Sequence, residues 1–80
     1  MAPRKRRLTF KEKSELEKLP RRIDSSERER AAVYASLADP AFLRDGSAVS
    51  GAKARLEVLD RELVEMMERW EDLETIANDS

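Results

Sequence analysis

The 80-residue sequence predicts an all-α fold, specifically an antiparallel two-helix coiled-coil hairpin whose short N-terminal helix continues or kinks at Pro20. Three observations support this prediction. Charged residues make up 41% of the chain and glycine occurs only twice, a balance typical of long helices with solvated outer faces. Apolar residues in the second half recur at alternating intervals of three and four. The two arms on either side of the central turn have matching lengths.

The first helix is predicted to begin after Thr9, because Thr9 and Glu12 have the spacing of a capping box. Leu16 and Leu19 are three residues apart and share one face of this helix. Pro20 has no N–H to donate and disfavours the α conformation of the residue before it. We therefore expect a kink or a brief break, with Pro20 as the first residue of a second helix.

The second helix, residues 20–37, has a weak apolar seam. The positions at heptad spacing are Ile23, Ser26, Arg30, Val33 and Leu37. Two of these are polar, so we expect neighbouring Ala31 and Tyr34 to share the burial. Arg30 is expected to extend toward Glu57 or Asp60 and to serve packing rather than chemistry.

The connection between the arms contains recognisable turn residues. Asp39 and Pro40 predict an N-cap followed by proline at the first position of a helix of one or two turns. Asp45 and Gly46 indicate a turn, and Ser47 is predicted to cap the long third helix.

The third helix, residues 47–77, has the most regular pattern in the chain. Its heptad seam is Val49, Ala52, Leu56, Leu59, Leu63, Met66, Trp70, Leu73 and Ala77. This helix is roughly 46 Å long and residues 9–37 span about 44 Å, so the two arms can pair along their whole length. The hairpin would place Leu16 opposite Trp70, and Trp70 is assigned to the core. The predicted cluster at the open end is Phe10, Leu16, Leu19, Met66 and Trp70.

The segments on either side of the heptad helices, together with the lack of long apolar runs, predict the domain limits and the cellular location. We expect residues 1–8 to form a flexible basic arm or linker, residues 9–77 the coiled-coil domain, and residues 78–80 a frayed C-terminus. No apolar run is long enough to span a bilayer, and the basic start lacks the apolar stretch of a secretory signal. These features predict a cytoplasmic protein without membrane contact. We expect a monomer, although a seam this regular can also pair between chains.

Several kinds of chemistry are disfavoured by composition. The chain has neither cysteine nor histidine, which removes disulfides, thiolate metal sites and the commonest general base. Carboxylates on a wet helix make a poor metal site, and a two-arm hairpin has no cleft for a substrate. We therefore expect no catalytic residue, no metal site and no cofactor in this chain.

Three segments carry a resemblance to a known family. "LTFKEKSELEKLPRRI", "LADPAFLR" and "ARLEVLDRELVEMMERWEDLE" resemble, at these separations, the C-terminal coiled-coil domain of ABC-F ATPases of the Uup type. The resemblance covers about residues 8–76. It implies a domain that follows two ATP-binding cassettes and is associated with DNA binding. The parent protein would be an ATPase that binds ATP and Mg²⁺ outside this chain. The sequence departs from the family pattern at Ser26 and Arg30, which are usually apolar, and at Arg21-Arg22, where an acidic residue is common.

Positive charge is concentrated at the N-terminus. Residues 1–22 carry nine Lys or Arg and three Glu, whereas residues 23–80 carry seven Lys or Arg and fourteen Asp or Glu. This asymmetry favours an anionic partner at one end of the hairpin. We predict a DNA-binding site that recognises nucleic-acid shape rather than base sequence and works by counterion release. The predicted residues are Arg4, Lys5, Arg6, Arg7, Lys11, Lys18, Arg21 and Arg22.

The positions of the later cations refine this prediction. Lys11, Lys18 and Arg22 fall within about 40° of one another around a continuous helix. The alternative is an ordinary solvated face with partners such as Glu15 four residues away. Arg21 and Arg22, if they begin a second helix, would lie at its positive end, where a bound phosphate would stabilise them.

Other readings of the sequence remain open. Residues 1–7 can be a plain polar linker. The hairpin can be a protein-interaction or spacer element whose acidic two-thirds docks on its own ATPase domains, and ribosomal RNA can replace DNA as the target. Phe10 and Trp70 are aromatic candidates for stacking on bases, although the heptad position of Trp70 favours a core role.

Overall fold

The computed structural model describes residues 7–79, which form three helices. They are α1, Phe10–Leu37; α2, Pro40–Leu43; and α3, Gly46–Asp79. No strand occurs among the described residues. Helices α1 and α3 pack along one another in opposite directions, and the short α2 packs at their connection. The result is a rod with dimensions of 61 × 23 × 16 Å, which confirms the predicted all-α hairpin.

Helix α1 begins as predicted. The Thr9 amide donates to a carboxylate oxygen of Glu12 at 2.9 Å, and the Glu12 amide donates to the Thr9 hydroxyl oxygen at 3.1 Å. Both bonds of the capping box are therefore present and satisfy amides that the first helical turn leaves without partners.

Helix α1 continues through Pro20 to Leu37, which is one of the outcomes predicted there, whereas the alternative in which Pro20 begins a second helix is wrong. Pro20 lacks the N–H that would bond to the Leu16 carbonyl, and this loss disfavours an isolated helix. Packing compensates for it here: Leu19 is buried against α3 on one side of the proline, and Ile23 packs against the same cluster on the other side. Tertiary contacts hold the helix together where local preference would interrupt it.

The connection confirms one predicted cap and corrects another. The Asp39 carboxylate accepts from the Ala41 amide at 2.9 Å, and Pro40 is the first residue of α2. Helix α3 is capped by Asp45, whose carboxylate accepts from the Ala48 amide at 3.1 Å, and not by Ser47. The helix therefore begins one residue earlier than predicted, at Gly46, and it ends at Asp79, two residues later.

The core is one narrow layer between α1 and α3. Its buried residues are Leu19, Leu56, Leu59, Leu63, Met66 and Leu73. At the open end, Leu19 (1% exposed) forms a cluster with Leu63, Met66 and Leu73. Leu8, Leu16 and Ile23 pack against this cluster. The predicted roles of Leu16, Leu19 and Met66 are confirmed, and Leu8, just before the helix, joins them.

Two aromatic residues predicted for this cluster lie outside it. Phe10 is 89% exposed and Trp70 is 37% exposed. Phe10 precedes Leu19 by nine residues, which is two and a half helical turns, so it points to the opposite face of α1. Trp70 is on the seam, but a single facing helix cannot enclose a ring of this size.

The predicted seam in the second half of α1 is confirmed, whereas the expected burial of Ala31 and Tyr34 beside it is wrong. Positions at heptad spacing from Ile23 to Leu37 are all half-buried, including the polar Ser26 and Arg30. Ala31 and Tyr34, by contrast, are exposed. The burial on α1 is therefore a single stripe rather than two.

The buried cluster predicts which leucine matters for stability. Replacing Leu19→Ala should lower the free energy of unfolding by about 2–5 kcal/mol, because it leaves a cavity among three buried neighbours. Leu43→Ala is the matched control, since Leu43 is exposed, and it should change stability by less than about 0.5 kcal/mol. Urea unfolding followed by circular dichroism measures both values. Equal effects of the two variants would contradict this account of the core.

Candidate nucleic-acid interface

A guanidinium from α3 contacts two carboxylates of α1 at the open end of the hairpin. Arg69 donates from Nε to one oxygen of Glu15 at 2.8 Å and from Nη2 to the other at 3.0 Å. The same Nη2 lies 3.8 Å from a carboxylate oxygen of Glu12. A two-point contact of this kind is the strongest form of arginine–carboxylate pairing. Arg69 therefore engages both carboxylates in the first six residues of α1.

Two further ion pairs cross between the helices nearer the turn. Arg55 donates from Nη2 to Glu29 at 2.9 Å. Arg30 donates from Nε to Asp60 at 2.7 Å, and its guanidinium carbon lies 5.1 Å from the centre of the Tyr34 ring. The predicted reach of Arg30 to Asp60 is thus confirmed. Together with Arg69, these pairs link α1 and α3 in the antiparallel register.

These contacts shift the ionisation of the carboxylates that they join. The hydrogen bond from Arg69 lowers the pKa of Glu15, and that from Arg55 lowers the pKa of Glu29, while partial desolvation opposes both shifts. Arg22 adds a smaller electrostatic contribution that also lowers the pKa of Glu15. Both glutamates are therefore held in their charged form by arginines of the opposite helix.

The predicted basic residues of α1 remain on the surface. Lys11, Lys18, Arg21 and Arg22 are all exposed, and none of them forms an ion pair within residues 7–79. The local partner considered for them, Glu15, pairs with Arg69 instead. Arg7 is also exposed, whereas Arg4, Lys5 and Arg6 lie outside the described residues.

Because α1 is one continuous helix, the position of each cation around the helix axis can be assigned. Because the helix does not restart at Pro20, Lys11, Lys18 and Arg22 lie along one continuous stripe. Arg21 lies about 100° from Arg22, on a different side of the helix. Arg21 and Arg22 are in the middle of α1 and not at a helix start, so the idea of a phosphate bound at their helix terminus is wrong.

One cation was missed in the sequence. Lys13 is exposed and, in the described part of the chain, has no ion pair. It lies three residues after Phe10, a spacing that places it beside Phe10 on the helix surface. This spacing is visible in the sequence. The prediction that Phe10 lies in the core, however, places Lys13 on the same inward face of the helix.

The basic stripe ends at a polar cleft between the helices. Arg22, Ser25 and Ser26 line one wall of this open cleft, and Glu62, Glu65 and Met66 line the other. Its volume is about 270 Å³. The cleft exists because Ser26 occupies a seam position where a larger apolar side chain would fill the space. The two glutamates mark the point at which the surface changes from basic to acidic.

A second open groove is apolar. It is lined by Pro20, Ile23, Met67, Trp70 and Glu71 and has a volume of about 380 Å³. Trp70 and Met67 are both exposed here. A polar cleft and an apolar groove thus form separate surfaces on the hairpin, and the apolar one includes the aromatic residue that the core does not enclose.

Within residues 7–79 no group of three or more acidic side chains is arranged to hold a metal ion. No helix in this part of the chain is long and apolar enough to cross a membrane.

The fold and the surface define a class of protein: a two-helix hairpin domain with exposed cations along the first half of α1 and open clefts between its helices. Residues 7–75 match the family described as "ABC transporter C-terminal domain", and the chain belongs to that family. This finding confirms the resemblance to the C-terminal domain of ABC-F ATPases of the Uup type.

Two relatives from Haemophilus influenzae support the same assignment. They are named "ATP-binding protein Uup-like" and "ATP-binding protein Uup", and each is 35% identical over 77 residues, or 95% of this chain. The chain spans only 17% and 12% of their respective lengths. No solved structure matches the chain.

Acid should destabilise the hairpin through Glu15 and Glu29. Their pKa values are lower in the folded chain than the ordinary value of 4.5. As the pH falls below this value, the unfolded chain takes up protons before the folded chain does, so the free energy of unfolding decreases. Urea midpoints measured from pH 7 to pH 3 should fall accordingly.

A pair of variants tests the cause of this acid sensitivity. The double variant Glu15→Gln, Glu29→Gln should be less stable than the parent at pH 7 and should depend less on pH. Glu68→Gln is the matched control, because Glu68 has no ion pair within residues 7–79, and it should keep the parental pH dependence. A double variant with the full parental dependence would show that other groups are responsible.

Proposed function

We propose that this chain is a coiled-coil domain that binds nucleic acid, chiefly DNA, through the basic end of the hairpin. One observation carries the proposal: Arg69 engages Glu15 and Glu12. These are the acidic side chains closest in sequence to Lys11 on α1. Because they pair with Arg69 of α3, they do not pair with the cations next to them in the sequence. Lys11, Lys18, Arg21 and Arg22 are left facing solvent without ion pairs from residues 7–79. Unpaired surface cations are what a polyanion requires.

The proposed mechanism is displacement of counterions from the phosphate backbone. A contact with about six phosphates would make the logarithm of affinity fall with the logarithm of salt concentration with a slope of roughly −5 on duplex DNA. The cations lie on the outer surface of a helical rod, and phosphate contacts of this kind do not read base sequence. Recognition would therefore depend on the shape of the nucleic acid, and structured RNA, including ribosomal RNA, is a second polyanion of the same chemistry.

The proposal also assigns ATP binding to a part of the longer protein outside this chain. ATP and Mg²⁺ would bind to cassettes outside this chain, since both glycines, Gly46 and Gly51, lie within α3 and the sequence has no glycine-rich phosphate loop. The domain would have no catalytic residue of its own and would act in the cytoplasm, as a monomeric part of a longer ATPase.

A charge-matched comparison tests the interface. The triple variant Lys11→Ala, Lys18→Ala, Arg22→Ala should weaken binding to a duplex oligonucleotide and flatten the salt slope by about two to three. Fluorescence anisotropy at several salt concentrations measures both effects. Replacing Arg4, Lys5, Arg6 and Arg7 together by alanine tests the preceding segment in the same assay.

The matched control removes three cations from elsewhere. Arg44, Lys53 and Arg61 are exposed, and among the described residues they form no ion pair. Their combined replacement by alanine changes the net charge equally and should leave the slope nearly unchanged. If both triple variants weaken binding alike, the effect is one of net charge only and the proposed interface is wrong.

The apolar groove supports a second candidate function. Met67 and Trp70 form an open apolar surface beside Pro20 and Ile23, and a partly exposed tryptophan is typical of protein contact sites. Its proposed occupant is one of the ATPase domains of the same longer protein, held against the hairpin as a spacer or docking element.

Docking through the groove can be separated from nucleic-acid binding. Met67→Glu should reduce by at least about tenfold the affinity of the hairpin for purified ATPase domains, because it places a charge in the apolar contact. Val64→Glu is the control, since Val64 is an exposed apolar residue of α3 that does not line the groove. Calorimetric titration of the two variants gives the comparison, and equal affinities would exclude the groove as the docking surface.

A further inference from the structure

Phe10 is the most exposed large apolar side chain among the described residues, with 89% of its surface open to solvent. It is the first residue of α1, directly after the capping residue Thr9. The capping-box hydrogen bonds of 2.9 and 3.1 Å link Thr9, just before Phe10, to Glu12, two residues after it. Leu8, two residues before it, packs against the core cluster. The ring therefore projects from a backbone that is held on both sides.

Packing of α1 against α3 prevents Phe10 from being buried in the hairpin. Leu19, which is buried at the centre of the cluster, lies nine residues further along, on the opposite face of the helix. Turning Phe10 inward would turn Leu19 outward. The exposure of the ring is thus a consequence of the helix register and not of a loose terminus.

The surroundings of Phe10 are basic and polar. Lys11 follows it and Lys13 lies one turn away, and both are exposed without an ion pair from residues 7–79. Arg21 lies on nearly the same face three turns along. The acidic residue of this first turn, Glu12, is used by the capping box and lies near Arg69. Glu17 is two turns farther along the face that contains Phe10.

We propose that Phe10 is a stacking site for an unpaired base, so that the basic end of the hairpin binds single-stranded nucleic acid as well as duplex. The inference rests on the proposed nucleic-acid function and adds a ligand class to it. The ring stacks on the face of one base, while Lys11 and Lys13 contact the neighbouring phosphates. Stacking of this kind tolerates any base, because every base has a π-face.

The isolation of the ring favours a base over a bilayer or an apolar protein surface. Its nearest neighbours on the same face are Lys13, Ser14 and Glu17, all polar. A protein groove or a membrane needs a contiguous apolar patch or stripe. One base requires one aromatic ring with cations beside it, and this is what the first two turns of α1 provide.

Two oligonucleotides and two alanine variants test the inference. Phe10→Ala should weaken binding to a fluorescein-labelled oligo(dT) strand by about tenfold, the loss expected for one stacked base. Its affinity for a duplex of the same length should stay within about twofold, and the salt slope should not change, because no charge is removed. Phe10→Trp should restore binding to the single strand.

Tyr34→Ala is the matched control. Tyr34 is the other strongly exposed single-ring aromatic residue of α1, at 47%, and it lies about 36 Å from Phe10 along the helix. Its replacement should leave the affinity for the single strand unchanged. If Tyr34→Ala weakens binding as much as Phe10→Ala, the effect is general and the stacking site is refuted.

The outcomes separate this inference from the proposed function. If Phe10→Ala binds the single strand as the parent does while duplex binding remains salt-dependent, the stacking site is wrong and the proposed function stands. If the parent binds neither oligonucleotide, both are wrong. A third outcome is that Phe10→Ala no longer binds vesicles of anionic lipid but still binds the single strand. This result would assign the ring to a membrane surface and overturn the inference.

Discussion

The packing of Leu19 against Leu63, Met66 and Leu73 is the constraint on which the rest of the molecule depends. It fixes the rotation of α1 about its own axis, and with it the direction of every other side chain on that helix. Phe10 faces outward, Lys11, Lys18 and Arg22 form a stripe beside the interface, and Glu15 faces the helix that carries Arg69. A different rotation would redistribute all of these groups, so the surface properties of the hairpin follow from one buried contact.

The interhelical ion pairs affect the stability of the hairpin less than they affect which side chains of α1 remain unpaired on its surface. Exposed pairs of this kind contribute little to folding, because solvent screens them and ordering long side chains costs entropy. Their effect on the surface is larger. Arg69 engages Glu15 and Glu12, so these two carboxylates do not pair with Lys11 or Lys18 of their own helix. A contact between the two helices thus decides which partner the two carboxylates nearest Lys11 take.

A hairpin of two helices has a single buried layer, and this limits what it can enclose. Leucine and methionine fit between the helices, whereas Trp70 lies at the edge of the layer and Phe10 lies outside it. Larger domains place such rings in their cores. Here the rings are displayed on different surfaces: one lines the apolar groove, and the other lies among the lysines of the first two turns. The small size of the domain therefore leaves Phe10 and Trp70 exposed to solvent.

Local sequence determined the features that depend on neighbouring residues: the capping box of Thr9 and Glu12, the Asp39–Pro40 helix start, the heptad seam of α3 and the hairpin that follows from equal arm lengths. Tertiary structure decided the continuity of α1 through Pro20, the exposure of Phe10 and Trp70, and the pairing of Glu15 with Arg69 rather than with a cation of its own helix. The reason is physical. Caps and periodicity act over a few residues, whereas the cost of a proline, the space for a ring and the partner of a carboxylate depend on what the other helix places opposite them.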